Sequence, residues 1–222
     1  MSDTQASPTT ADAPRTPVSA DDVEEVVRLI VAAFQDVPEE TWGRSAGELE
    51  WDCWETVEHL ADDMFCYALQ LSAPNPPLDS YVPTLMTCQR DGGPRETIHA
   101  EREAGVAGLM QVLQACTGLL AAVVRTRGPQ TRAHHSYGVS DPEGFAAMGI
   151  VEAVVHARDV ADGLGVAWEP PAGVCERVLA RLFRNVPVGD DPWRTLLWAT
   201  GRLELPGLPR RESWRWDGTP LD

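Results

Sequence analysis

Apolar residues recur along this chain at helical spacing and almost never alternate. Val23, Val26, Val27, Ile30, Val31 and Phe34 form one stripe, the repeat of an amphipathic helix, and Ser19-Ala20-Asp21-Asp22 ahead of it is a capping signal. This first helix is expected to run to about Asp36. After a connection over Pro38 and the Gly43 to Gly47 stretch, Val57, Leu60, Ala61, Met64, Phe65, Ala68 and Leu69 mark a second helix. Between Ser72 and Pro94, Pro74, Pro76, Pro77 and Pro83 together with Gly92-Gly93 prevent a helix and predict a long loop. A third helix is expected from about Glu96 to Arg125. A second loop covers Thr126 to Asp141, with Gly128-Pro129 and Gly138 within it. Ser140-Asp141-Pro142-Glu143 then opens a fourth helix with proline in a tolerated first-turn position, and that helix reaches Gly163 or Gly165. Pro170-Pro171 breaks the chain. A fifth helix is expected from Gly173 to Arg184 and a short sixth from Pro192 to Arg202.

With no β alternation of useful length and no internal repeat, the pattern predicts an all-α protein. Its core is expected to be an up-down-up-down four-helix bundle over residues 20 to 168. Residues 169 to 222 form a small helical C-terminal extension packed on the bundle, and residues 1 to 19 a disordered Ser/Thr/Pro/Ala tail. In that topology helices two and four start at the same end, the 126 to 141 loop lies at that end too, and the proline-rich 73 to 94 loop lies at the far end.

At 222 residues the chain can bury a substantial single core. Ala104 to Val124 carries no charge over 21 residues, long enough to span a bilayer. Gln111, Gln114, Thr117 and three glycines within it favour a helix at the centre of a soluble bundle, so no membrane association is expected. The 34 acidic residues against 18 basic ones give a formal net charge of −16, which repels phosphate backbones and excludes nucleic acid as a natural partner. Every basic side chain is Arg and none is Lys, which removes Schiff-base chemistry and amine general bases. Cys53, Cys66, Cys88, Cys116 and Cys175 are odd in number and never spaced C-x-x-C; they read as reduced thiols of a cytoplasmic protein, a monomer or homodimer.

The candidate chemistry lies on two helices. Glu152 and His156 stand four apart in the fourth helix, on one face, where they can grip a single ion. His59 in the second helix can arrive from the neighbouring element. Two imidazoles and one carboxylate are a recurrent ligand set for catalytic zinc, because three protein ligands leave a position open. Asp63, one turn after His59, is a candidate fourth ligand or an acceptor that orients the histidine, with a capping or solvated Asp as the alternative. His99, at an expected helix start, should fall outside the site. Arg132, His134, His135 and Tyr137 are candidates for its rim. His134 and His135, adjacent in a loop, are expected to point apart rather than to share a metal. Anionic substrates need cationic partners, and Arg202 and Arg132 are the candidates, with Tyr137 as a donor to a developing enolate. Arg158 is expected to be structural. Trp193, Trp198, Trp214 and Trp216 are expected to bind the C-terminal segment to the bundle, or else to wall a ligand.

Taken together, Trp54-x-x-x-x-His59-Leu60, Glu152-x-x-x-His156 with Asp159, and Leu197-Trp198-Ala199-Thr200-Gly201-Arg202 resemble the mycothiol-dependent maleylpyruvate isomerase-like proteins, actinobacterial members of the DinB-like metal-binding superfamily. The resemblance spans about residues 20 to 216. It implies zinc, or another divalent metal, on His59, Glu152 and His156, with mycothiol as a thiol cosubstrate. It implies an isomerase or thiol S-transferase acting on a small organic molecule. A cation held this way would draw a thiol toward its thiolate near neutral pH. Two readings compete with this one: a non-catalytic metal or small-ligand binding protein on the same scaffold, and a metal-dependent hydrolase.

Overall fold

A computed structural model describes residues 15 to 187 and 189 to 221, and among them the chain is all-helical, with no strand. Each expected helix forms, and four of the six start on a side chain that accepts from a free backbone N–H of the first turn. α1 (Ala20–Phe34) begins in a full capping box: Asp22 N–H donates to the Ser19 hydroxyl, and the Asp22 carboxylate accepts from the Ser19 N–H. α2 (Cys53–Ser72) repeats the device with Asp52 and Glu55. α4 (Pro142–Leu164) starts on the Asp141 cap with Pro142 in the first turn and stops at Gly165, whose φ of 72° is the left-handed conformation that ends helices. α5 (Ala172–Leu182) and the short α6 (Pro192–Ala199) follow.

α3 (Gly105–Thr126) departs from expectation at its start. Residues 95 to 101 do not join it, because side chains of α2 bond their backbone instead. The Asp62 carboxylate accepts from the N–H groups of Thr97 and Ile98, and Glu58 accepts from that of Ala100. These bonds hold the segment along α2, and Gly105, at a φ of 63°, turns the chain into α3.

The order of directions also differs from the expected alternation. Asp52, at the start of α2, lies 3.9 Å from Arg102 just ahead of α3, while Arg127, just after α3, donates to the carbonyls of Ser72 and Ala73 at the end of α2. Those contacts make α2 and α3 parallel. Arg125 pairs with Asp21 and Glu24, and Arg15 and the Val18 N–H both reach Glu143, so α1 and α4 run together against them. The order is up, down, down, up. The connection from 73 to 104 permits it, because it is long enough to retrace the roughly 30 Å of a twenty-residue helix. It runs back along α2 and does not remain at the far end.

The four long helices enclose one core. α1 buries the predicted stripe from Val23 to Phe34, and α4 is buried on nearly every side. α3, with the turn before it, is long and apolar enough to cross a membrane; Leu109, Leu113 and Leu120 on one face are fully buried, while Leu119 is exposed. The C-terminal segment closes onto this core. Buried Arg181 donates to Asp141 and to the carbonyl of Gly218, and the Asp217 N–H donates to Leu182. Trp168 and Trp193 pack edge to face.

The expected disordered tail reads differently in part. Residues 1 to 14 lie outside the described residues, but Arg15 to Ser19 are anchored, with Val18 buried and Arg15 paired to Glu143.

Candidate metal centre and its pocket

The antiparallel run of α2 against α4 brings the predicted ligands to one level. Cys53 Sγ sits 3.8 Å from the Val160 carbonyl, so the first turns of α2 face the last turns of α4. His59, early in α2, therefore meets His156, late in α4; the expected level is reached by the opposite polarity. Their rings lie 5.4 Å apart at 83°. Imidazoles bound at ~2.1 Å to one tetrahedral ion would have ring centres about 5 Å apart.

Each histidine presents one nitrogen to a carboxylate on its own helix and the other to a carboxylate behind it. His156 Nε2 is 3.3 Å from Glu152, and its Nδ1 is 3.3 Å from Asp159. His59 Nε2 is 3.4 Å from Asp63, and its Nδ1 is 3.7 Å from Glu96. Ligand atoms held at ~2.1 Å around a tetrahedral ion are about 3.4 Å from one another. Carboxylates behind the far nitrogens are the usual means of fixing a ligating imidazole. The donor chemistry thus fits a divalent cation. The two front pairs still stand apart: among the described residues only Glu58, Glu96 and His99 offer three ligand atoms all within 4.8 Å. As they stand, His59, Glu152 and His156 are not drawn tightly enough together to share one ion.

The electrostatics are polarised. Burial opposes a charge on His156, yet Asp159 and Glu152 outweigh it and push its pKa up to about 9. Burial and the neighbouring His156 pull His59 down to about 4. Burial, reinforced by Glu152, holds the Asp63 carboxyl well above the carboxylate range. Burial with Glu58, Asp62 and Glu55 nearby raises Glu96 to about 9.

A cavity of about 540 Å³ opens on His59, Asp63 and Glu152, a size typical of small-molecule sites. It extends along α2 past Cys66, Tyr67 and Gln70, under the returning segment with Tyr81 and Arg95, to His135, Tyr137 and Trp216. His135 and Tyr137 therefore border the pocket as expected, although from its far end. His135 is buried and neutral, its pKa lowered to about 4 by burial. Its Nδ1 accepts the Tyr137 N–H at 3.1 Å, so the ring proton sits on Nε2. His134 points elsewhere and packs on Tyr81.

The two candidate arginines do not reach this cavity. Arg132 donates to the carbonyls of Pro129 and Thr131 in its own loop. Arg202 donates to Asp159 and to the Thr200 carbonyl, which places it behind His156 and makes it a positioning residue. Arg158 pairs with Asp162. The cation that does line the cavity is Arg95, an exposed side chain with no ion pair among the described residues.

Sequence reasoning passed over four site residues. Trp51 packs against His59 with ring centres 4.7 Å apart. Tyr67 continues the i, i+4, i+8 line of His59 and Asp63 on one face of α2, a signal present in the sequence. Glu96 and Arg95 lie on the returning segment, and no local pattern announces their position. His99, expected outside the site, does not line the cavity; it is on no helix, and its Nδ1 is 3.5 Å from Glu96.

No family model matches this chain, and neither does any curated protein or solved structure.

Proposed function

We propose that this protein is a DinB-like helical metalloenzyme that activates a low-molecular-weight thiol, of the mycothiol kind, for isomerisation or S-transfer on a small anionic molecule. The observation that carries the reading is the cavity whose wall includes His59, Asp63 and Glu152. The packing of α1 to α4 agrees with a four-helix bundle of that type, although not with strict alternation of direction. In this reading His59, Glu152 and His156 hold the divalent metal, zinc or another. When bound, the metal supplies positive charge that favours the thiolate over the thiol.

The chain's own residues account for the remainder. Asp63 stands at the cavity wall beside the ligands, where its ionised carboxylate is placed to take the thiol proton. Arg95 offers a planar fork to a substrate carboxylate, the role that Arg202 and Arg132 cannot fill from their positions. Tyr67, fully protonated because burial raises it well above its usual range, and His135, with its proton on Nε2, supply neutral donors for an enolate oxygen or a carbonyl. Trp216 and Tyr137 form part of the far wall.

One observation favours a second reading. Asp63 beside the ligands can equally take a proton from water, which is what a metal-dependent hydrolase requires. The experiment that separates them is incubation of zinc-loaded protein with mycothiol and a panel of electrophiles and esters, followed by mass spectrometry. Thiol adducts or cis–trans isomerisation, lost in His156→Ala, support thiol activation. Hydrolysis that proceeds without thiol supports the second reading, and no turnover of either kind sinks both.

A further inference from the structure

On the side of His59 away from the cavity, three side chains converge more tightly than the front ligands do. Glu58, Glu96 and His99 each present a ligand atom, and the three lie within 4.8 Å of one another. Glu96 is completely buried, and neither of its carboxylate oxygens has a hydrogen-bond partner. The Nδ1 of His99, also buried, has none either. Buried polar atoms are nearly always paired, so three orphaned atoms around one point mark a missing partner.

The surrounding geometry is braced from outside. His99 Nε2 is bonded to the Thr87 hydroxyl at 2.8 Å, which turns Nδ1 inward, 3.5 Å from Glu96. Thr87 and Glu96 exchange backbone hydrogen bonds of 2.8 and 2.9 Å, and Glu58 is fixed by the Ala100 N–H at 2.8 Å. No arginine neutralises the pair of carboxylates. Arg90 is spent on Glu55, Arg102 lies near Asp52, and the basic side chains against Glu96 are the imidazoles of His59 and His99. Two carboxylates taken out of water next to each other are costly unless a cation joins them.

We propose that Glu58, Glu96 and His99 hold a second divalent transition-metal ion, of the class that accepts imidazole together with carboxylate. Such a donor set suits zinc or manganese better than the all-oxygen sites of calcium or magnesium. The ion would fasten the segment from 95 to 101, and with it Arg95, onto α2. It would also fix Glu96 behind His59, coupling the two centres through one carboxylate.

The test is zinc titration of the metal-stripped full chain at neutral pH, with stoichiometry read by calorimetry and metal analysis. Two equivalents are expected in the wild type, one in His99→Ala and one in His156→Ala. His99→Gln, which can keep a bond to Thr87, should likewise hold one, with an unchanged helical circular dichroism signal to show that the fold persists. A single equivalent that survives His99→Ala but disappears in His156→Ala overturns the second site. A single equivalent with the reverse behaviour upholds it and overturns the front site instead. No bound zinc overturns both.

Discussion

Asp159 and His156 face each other at 3.3 Å, Oδ2 to Nδ1, and the same oxygen accepts a hydrogen bond of 3.0 Å from Arg202. Burial disfavours the Asp159 charge, but His156 and Arg202 outweigh it and hold this carboxyl below its ordinary range. The chain Arg202–Asp159–His156–Glu152 fixes the ring orientation before any ligand arrives.

Loss of that backing charge should show in metal affinity. Asp159→Asn is expected to weaken zinc binding about 10- to 100-fold, the usual scale for a residue that orients a ligating histidine. Calorimetry on the stripped protein measures it. Unchanged affinity would mean that His156 does not bind through Nε2.

Asp63 distinguishes a proton acceptor from a ligand. Asp63→Asn is expected to lower kcat by about 10²- to 10⁴-fold, the range for a general base, with the metal content of the front site unaltered. If the variant is isolated without that metal, Asp63 is instead a fourth ligand, and the coordination sphere is closed.

Gly163 marks the closest approach of α4 to the loop ahead of α2. A Cβ there would collide with the Ser45 carbonyl and lie 2.6 Å from Cys53 Sγ. Gly163→Ala is therefore expected to destabilise by about 1–3 kcal/mol through overpacking, despite the ~1 kcal/mol that alanine normally adds in a helix. A thermal melt decides, and a raised Tm would show that the loop gives way freely.

Acid should loosen the start of α1. Burial raises the Asp22 carboxyl, but the Arg177 bond and the Ser19 N–H and hydroxyl prevail and hold it below its ordinary range. A carboxyl depressed in the folded state contributes stability above its unfolded pKa and loses it as the pH falls through the folded one. Asp22→Asn should thus cost on the order of 1 kcal/mol at pH 6 and approach wild type near pH 2. Denaturant unfolding at the two pH values tests this, and a deficit of equal size at both would remove Asp22 ionisation from the explanation.

The helices were legible because their signals are local. The Ser19 capping box, the Asp141-Pro142 start of α4 and the Gly165 stop act within one turn, and the stripe from Val23 to Phe34 states which face is buried. The pairing of Glu152 with His156 was legible for a related reason, since four-residue spacing fixes a common face on one helix. Helix direction was not, because it depends on how far the 73 to 104 connection travels, and prolines and glycines forbid a helix without saying where a chain goes. The assignment of Arg202 failed on the same ground. An arginine in a turn carries no local record that it will spend its charge on Asp159.

The amino-acid sequence thus determined the all-helical class, the caps, the buried faces and the two histidines with their own-helix carboxylates, all consequences of periodicity and of bonds between near neighbours. Tertiary structure alone decided that α2 and α3 run parallel and that the returning segment sets Arg95 at the cavity. It also placed Glu96 behind His59 and put Trp216 on a wall of the pocket. These placements rest on backbone hydrogen bonds to Glu58 and Asp62 and on contacts between residues far apart in the chain. Such pairings are selected by the packing of the whole molecule, and no stretch of neighbouring residues encodes them.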